Sequence, residues 1–169
     1  MDISKELRQC WRTPPECFQE LNEKFKFSID ACASADNALC DRYWSEDDDA
    51  LVQDWSKERA FCNPPFGRAK PFLQKAQTAE LAVVLLPSNS LVTTYFSEYQ
   101  PRVIAIPGRR IQYIPPRGIE SSTASFGTTI LVYGNPTQQE IESLRSFRYC
   151  PLSIWSPPTS IGDSNVNRN

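Results

Sequence analysis

Ala60-Phe61-Cys62-Asn63-Pro64-Pro65-Phe66 runs from a short β-prone stretch straight into a stiff loop, and Leu81-Ala82-Val83-Val84-Leu85-Leu86 follows after a helical interval. The second run is continuously apolar, the pattern of a strand buried on both faces of a parallel sheet. Between the two, Ala69 to Ala79 has helical composition, with Phe72, Leu73 and Ala76 apolar. Strand, loop, helix and strand make a βαβ unit. That unit decides the class: an α/β fold with a mainly parallel sheet and helices on both faces. Sheets of this kind take their ligands beyond the carboxyl ends of the strands. Three loops fall at such ends: Asp30 to Asn37, Asn63 to Gly67 and Pro87 to Ser90.

Working outward to the amino side, Thr13 is the expected N-cap and Pro14 the first helical residue of a short amphipathic helix carrying Phe18, Leu21 and Phe25. Phe25 to Ala33 reads as a strand with Asp30 at its carboxyl end. Asp47 to Leu51 is a helical or loop segment closed by Asp54 and Trp55. On the carboxyl side, Thr93 to Tyr99 is expected to be helical and Val103 to Ile106 a strand. Arg109 to Ile114 and Ala124 to Val132 read as two further strands flanking the Pro115-Pro116-Arg117-Gly118 loop, and Gln138 to Arg148 as a helix. At 169 residues the chain is expected to hold one domain, 1–150, followed by a loosely ordered tail, 151–169, rich in Pro, Ser and Asn.

The absence of histidine removes imidazole general bases, Ser-His and Cys-His nucleophile pairs, and His-containing zinc sites. The six cysteines, at 10, 17, 32, 40, 62 and 150, form no Cys-x-x-Cys pair and are expected to be reduced, mostly buried thiols. The longest apolar run, Leu81 to Leu86, is far short of the roughly 18 residues that cross a bilayer, so no membrane partner is expected. A charged amino terminus without a signal-like stretch points to a cytoplasmic protein. No metal is expected either, because the acidic run Glu46 to Asp49 reads as a solvated loop.

The net charge of −2 is unevenly laid out. Residues 1–60 carry eight Lys or Arg against fourteen Asp or Glu, whereas residues 61–134 carry seven against three. The basic segment could engage a polyanion by phosphate contacts; a solvated surface is the plainer reading.

Asn63 to Phe66 is the stretch that carries chemistry. Prolines lack backbone donors and are stiff, so the carbonyl groups of the loop stay free to accept. The Asn63 oxygen and the Pro64 carbonyl can take the two protons of an exocyclic amino group, and Phe66 can stack on a planar ring. Such a clamp turns the nitrogen lone pair toward an electrophile without a histidine base.

Taken in order, Trp11, Thr13 and Pro14; Asp30-Ala31-Cys32-Ala33 with Asn37 after it; Asp49-Ala50-Leu51 leading to Asp54 and Trp55; Asn63-Pro64-Pro65-Phe66; Leu85-Leu86-Pro87; and Gly108-Arg109 form a set. In that set the chain resembles the phage-type DNA adenine methyltransferases, the Dam family of phages and prophages, over roughly residues 11–132. The resemblance implies a Rossmann-like class I methyltransferase fold and S-adenosylmethionine as cofactor. It also implies double-stranded DNA as the partner, with methyl transfer to the exocyclic amino nitrogen of adenine in a bacterial host's cytoplasm. A use in protecting phage DNA from restriction would follow.

By the same resemblance, Trp11, Thr13 and Pro14 lie against the methionine end of the cofactor, and Asp30, Ala31, Cys32 and Ala33 occupy its first binding motif. Asp54 and Trp55 sit near its adenine, with Asp49 an open alternative to Asp54. Asn63, Pro64, Pro65 and Phe66 are the catalytic loop, reached by an adenine flipped from the duplex. Asp-Ala-Cys-Ala-Ser stands where the broader class has a glycine-rich turn; its small side chains still permit close backbone approach. Arg68, Lys70, Arg109, Arg110 and Arg117 are candidate DNA contacts, since the arginine fork suits phosphates and base edges alike. Three readings compete: methylation of cytosine or of a protein glutamine through the same clamp, a catalytically silent DNA-binding module, and a structural protein with no ligand.

Overall fold

The computed structural model describes residues 11–107, 110–115, 126–144 and 150–154, the last of these, like Tyr95 and Ser97, by backbone alone. Helix α1, Pro15–Phe25, opens with Pro15 at its first position and buries Cys17, Phe18, Leu21 and Phe25 on one face. Thr13 is not its cap. The N-cap is Pro14, which has no side-chain acceptor, and the helix instead starts on proline's preset φ. It stops at Lys26, which takes φ 50° in the left-handed region while its N–H donates to the Asn22 carbonyl; the Asn22 side chain accepts from Phe27 N–H at 2.8 Å.

That stop is why the expected strand from Phe25 to Ala33 shrinks to β1, Ile29–Asp30. The other strands are β2, Arg59–Cys62; β3, Leu81–Pro87; β4, Val103–Ile106; β5, Thr128–Gly134; and β6, Cys150–Ile154. Helices α2, Ala69–Ala76, α3, Thr94–Glu98, and α4, Gln138–Ser143, fall where helices are expected but end earlier. The sheet order is β1-β2-β3-β5-β4-β6. β1, β2 and β3 are parallel, with Phe61 beside Val83, and β2, α2 and β3 form the expected βαβ unit.

The remainder corrects the mainly parallel sheet to a mixed one. β5 inserts antiparallel between β3 and β4, pairing Val83 with Val132 and Ile104 with Leu131, and β6 is antiparallel to β4. The apolar run in β5 is buried from Thr128 to Tyr133, and apolarity alone does not encode strand direction. Residues 110–114 form no strand; Ile114 makes a single antiparallel bridge to Arg12. Strand β6 carries the sheet past position 150 into the stretch expected to be tail.

Alternate residues of each strand feed two cores. Phe61, Leu81, Val83, Leu85, Ile130 and Val132 pack under Phe18, Leu21 and Phe25 of α1. Ala60, Cys62, Val84, Leu86, Leu131 and Tyr133 face Phe72, Leu73 and Ala76 of α2, with Trp55. Each fully buried large apolar side chain contributes about 1.5–3 kcal/mol relative to exposure, so both faces are firmly covered. Arg59, at the start of β2, ties the end away from the ligand edge: its Nε donates to the Phe25 carbonyl at 2.8 Å, and its guanidinium pairs with Glu80 at 3.4 Å and with Glu140. The opposite end, where β1, β2 and β3 terminate, is left for the loops. Among the described residues no helix is long and apolar enough to cross a membrane.

Candidate active site

Where β1 and β2 end side by side, their following loops diverge and leave a cleft of about 540 Å³. Four pieces of chain wall it: Trp11 to Thr13, the turn after β1 from Asp30 to Ser34, the loop bearing Trp44, Asp49, Ala50 and Leu51, and Asn63 with Pro65 after β2. Arg68, just ahead of α2, and Phe72, in its first turn, add to the lining, as do Asn37, Leu39, Ser45, Glu46 and Phe61.

Asp30 closes β1 and is 3% exposed. Its two oxygens accept the backbone N–H groups of Cys32 at 3.3 Å and Leu39 at 3.2 Å. Burial nevertheless dominates and lifts the carboxyl from 3.8 to about 6, the two backbone donors working against the rise. A carboxylate held dry on a cleft wall is poised for a cation or for ligand hydroxyls. The turn that follows uses Ala31, Cys32 and Ala33, side chains small enough for the backbone to pack close: Ala31 N–H donates to the Phe61 carbonyl at 2.8 Å and Ala33 N–H to Trp44 at 3.2 Å. Cys32 Sγ lies 3.7 Å from Cys62 Sγ. Cys17, Cys32, Cys40 and Cys62 are free thiols.

Asn63 stands directly after β2. Its Nδ2 donates to the Trp11 carbonyl at 2.6 Å, while Oδ1 is buried with no hydrogen-bond partner among the described residues. Arg12 Nε and Thr13 Oγ1 are orphaned in the same way. Buried polar groups are nearly always paired, so three orphans among the residues that line one cleft leave polar atoms there for water or a ligand to meet. Pro64 is buried; the Pro65 carbonyl is committed to Arg68 N–H at 2.8 Å. Phe66, half-buried, meets Phe126 edge-on at 5.1 Å and Tyr113 at 6.4 Å, and Phe126 meets Trp11 edge-on at 6.1 Å. Tyr113 and Phe126 belong to a part of the chain that sequence reasoning assigned to strands, and no periodic signal ties them to Phe66.

Of the residues expected at the cofactor, Trp11, Thr13, Asp30, Ala31, Cys32 and Ala33 line the cleft. Pro14 is buried at the head of α1. Asp54 and Trp55 are not on the lining: Asp54 is exposed and accepts Ser56 N–H at 2.9 Å, and Trp55 is fully buried with its indole N–H on the Ala50 carbonyl at 2.8 Å. Trp55 backs Trp44, whose ring lies 5.6 Å away and does face the cleft. Asp49 is on the lining, in a turn with φ 48°. Sequence reasoning missed Trp44, which lies in a stretch without helix or strand periodicity, and named Leu51 only within the Asp49-Ala50-Leu51 motif without giving it a role at the cofactor.

Among the candidate DNA contacts, Arg68 is exposed at the cleft mouth and Arg110 is exposed. Lys70 pairs with Glu98 at 3.1 Å and stands 5.9 Å from the Tyr99 ring centre. Arg109 and Arg117 lie outside the described residues. Among the described residues no group of three or more His, Cys, Asp or Glu side chains could hold a metal ion.

Comparison with known proteins gives this cleft a context. The family model described as DNA N-6-adenine-methyltransferase (Dam) matches residues 1–151. The DNA N-6-adenine-methyltransferase of Escherichia phage T1 is 30% identical over 99 residues, which are 54% of this chain and 41% of that protein. The DNA N-6-adenine-methyltransferase of Haemophilus phage HP1 is 25% identical over 144 residues, 80% of this chain and 83% of its own. The chain thus spans about two fifths of the T1 protein and most of the HP1 protein. With the family match running from residue 1 to 151, through β1 to β5 and every segment that walls the cleft, the chain belongs to the DNA N-6-adenine-methyltransferase (Dam) family.

Proposed function

We propose that the chain transfers a methyl group from S-adenosylmethionine to the exocyclic N6 of adenine in double-stranded DNA, on a Rossmann-like class I methyltransferase scaffold. The observation that carries the reading is the Asn63 amide, with its nitrogen bound to Trp11 and its oxygen buried, unpartnered and beside the cleft. An acceptor so placed calls for a donor from the ligand, and an amino group is such a donor.

The cleft fits the cofactor by size and by chemistry. Its volume of about 540 Å³ lies within the range of small-molecule sites, and its walls combine a dry carboxylate with apolar and aromatic surface. Asp30 would hold a cationic ammonium, helped by the orphaned Thr13 hydroxyl, while Ala31, Cys32 and Ala33 let the ligand approach the backbone. Trp44 and Leu51 would cover a flat heterocycle, with Asp49 rather than Asp54 at its polar edge. The bound cofactor supplies an electrophilic methyl group.

The chain's own part is to hold and orient the amino group. Asn63 Oδ1 accepts one of its N–H bonds and the Pro64 carbonyl the other, which turns the nitrogen lone pair out of conjugation with the ring. Pro65, its carbonyl already committed to Arg68, keeps the loop rigid. Phe66 stacks on the base, its ring braced from the side by Phe126 and Tyr113. The chain has no histidine to take the proton released from nitrogen, and that proton leaves to solvent. The target base reaches this site only when flipped from the duplex, and Arg68 and Arg110 hold the flanking backbone. Methyl-labelled S-adenosylmethionine offered with duplex DNA, RNA or protein separately tests the acceptor class: label in DNA alone is expected, and label in protein or RNA, or in nothing, rejects the reading.

A further inference from the structure

A carbonyl oxygen only accepts, so the Asn63 amide at 2.6 Å from the Trp11 carbonyl must present its nitrogen there, and its oxygen must point the other way. Trp11 is not free to adjust. The next residue, Arg12, exchanges two 2.9 Å backbone hydrogen bonds with Ile114, and its Nη2 donates to the Pro115 carbonyl at 3.3 Å. The Trp11 ring is braced edge-on by Phe126. We propose that the Trp11 carbonyl is a positioning group for methyl transfer, and that it is what makes asparagine rather than aspartate the residue this site requires at position 63. The inference rests on the methyltransferase reading and adds a requirement to it.

The chemistry separates the two side chains. Toward an amino group, an amide oxygen and a carboxylate oxygen both accept, the carboxylate more strongly. Toward Trp11 they are opposites, because a carboxylate there sets two acceptors face to face in a buried place. Only a protonated carboxyl can donate to the Trp11 carbonyl and still accept from the substrate. Asn63→Asp should therefore work only in the fraction of molecules whose introduced carboxyl carries a proton. The titratable and charged groups on the lining it shares are Asp30 and Cys32 from β1 and its turn, Arg12 from the amino-terminal segment, Arg68 ahead of α2, and Glu46 and Asp49 from the loop, and Cys62 precedes it at the end of β2. All are present in the unsubstituted protein too, so the ratio of variant to wild-type rate cancels their own titration and leaves the introduced carboxyl together with its coupling to Asp30. The acidic neighbours push its titration up and the two arginines pull it down, which moves the midpoint of the ratio and not its sign.

Single-turnover rates on unmethylated duplex DNA, with cofactor and DNA saturating, measure that ratio between about pH 5.5 and 8. The variant is expected about a hundredfold or more below wild type at the alkaline end, with the ratio climbing by up to about tenfold per pH unit as the pH falls. A ratio that stays flat while the wild type is active overturns the proposal. Should the variant fail to fold, the wild type itself decides: with ¹⁵N label in its asparagine side chains, one Asn63 amide proton is expected to exchange slowly, and two freely exchanging protons overturn the assignment. Failure of the wild type to methylate adenine would instead strike the functional reading, while the amide-proton measurement would still judge the Trp11 contact.

Discussion

Asparagine in place of Asp30 removes a charge from the cleft wall and keeps the shape of the side chain. The carboxyl is 3% exposed, and burial lifts it from 3.8 to about 6 against two backbone donors. At roughly 1.4 kcal/mol for each pH unit, keeping it ionised in the folded chain costs about 3 kcal/mol. Between 3.8 and about 6 the folded chain binds more protons than the unfolded one. Stability therefore falls as pH rises through that window, and the whole cost stands above it. Asp30→Asn has no such titration. Exchanging one acceptor oxygen for an amide nitrogen opposite the Cys32 or Leu39 N–H adds a fixed penalty, so only the pH-dependent part of the difference reports on the charge. Urea denaturation of the ligand-free proteins from about pH 4.5 to 7.5 should show the stability difference moving by about 2 kcal/mol in the variant's favour toward the alkaline end. A constant difference, or one moving the other way, refutes the idea that burial governs Asp30.

The same carboxylate sets an expectation for binding: the Kd of the wild type for S-adenosylmethionine, followed by calorimetry, rises as the pH drops below about 6, and Asp30→Asn binds weakly at every pH. Gly134→Ala should destabilise the fold by about 3 kcal/mol, because Gly134 has φ 79° and an added Cβ would sit 2.4 Å from the Glu80 carbonyl oxygen. A melting temperature equal to that of the wild type would contradict this. Arg68→Ala should weaken DNA binding and flatten its salt dependence more than Lys70→Ala does, since Lys70 is already engaged by Glu98. Equal effects in a salt titration would argue against Arg68 as a phosphate contact.

The residues that were legible in the sequence are those whose role is local. Leu81 to Leu86 reads as a buried strand because a run of six apolar residues between Glu80 and Pro87 has few other uses, and β3 holds it. Asn63 reads as chemistry because proline on its carboxyl side strips away donors, and the structure leaves its oxygen unpartnered. What was not legible depends on partners distant in the chain. Thr128 to Gly134 announces a strand but not that it runs antiparallel between β3 and β4, since burial on both faces looks alike in either direction. Phe25 to Ala33 looks like a single strand because it is mostly apolar and β-prone and holds no Pro or Gly, yet Lys26 adopts a left-handed conformation and cuts it short. The sequence leaves Asp49 and Asp54 as alternatives beside the cofactor because both are acidic loop residues next to apolar ones; in the structure Asp49 is on the cleft lining, Asp54 is exposed, and Trp55 is the buried support behind Trp44. The aromatic braces Tyr113 and Phe126 meet Phe66 only in space.

In the proposed reaction the Asn63 oxygen captures the exocyclic amino group of adenine. Wild-type protein and Asn63→Ala, each given S-adenosylmethionine and unmethylated duplex DNA, can be compared by digesting the DNA and analysing the nucleosides by mass spectrometry. The expected result is N6-methyldeoxyadenosine from the wild type, reduced about a hundredfold or more in a variant that still folds and binds cofactor. Methyldeoxycytidine as the product, or equal methyldeoxyadenosine from both proteins, would contradict the account.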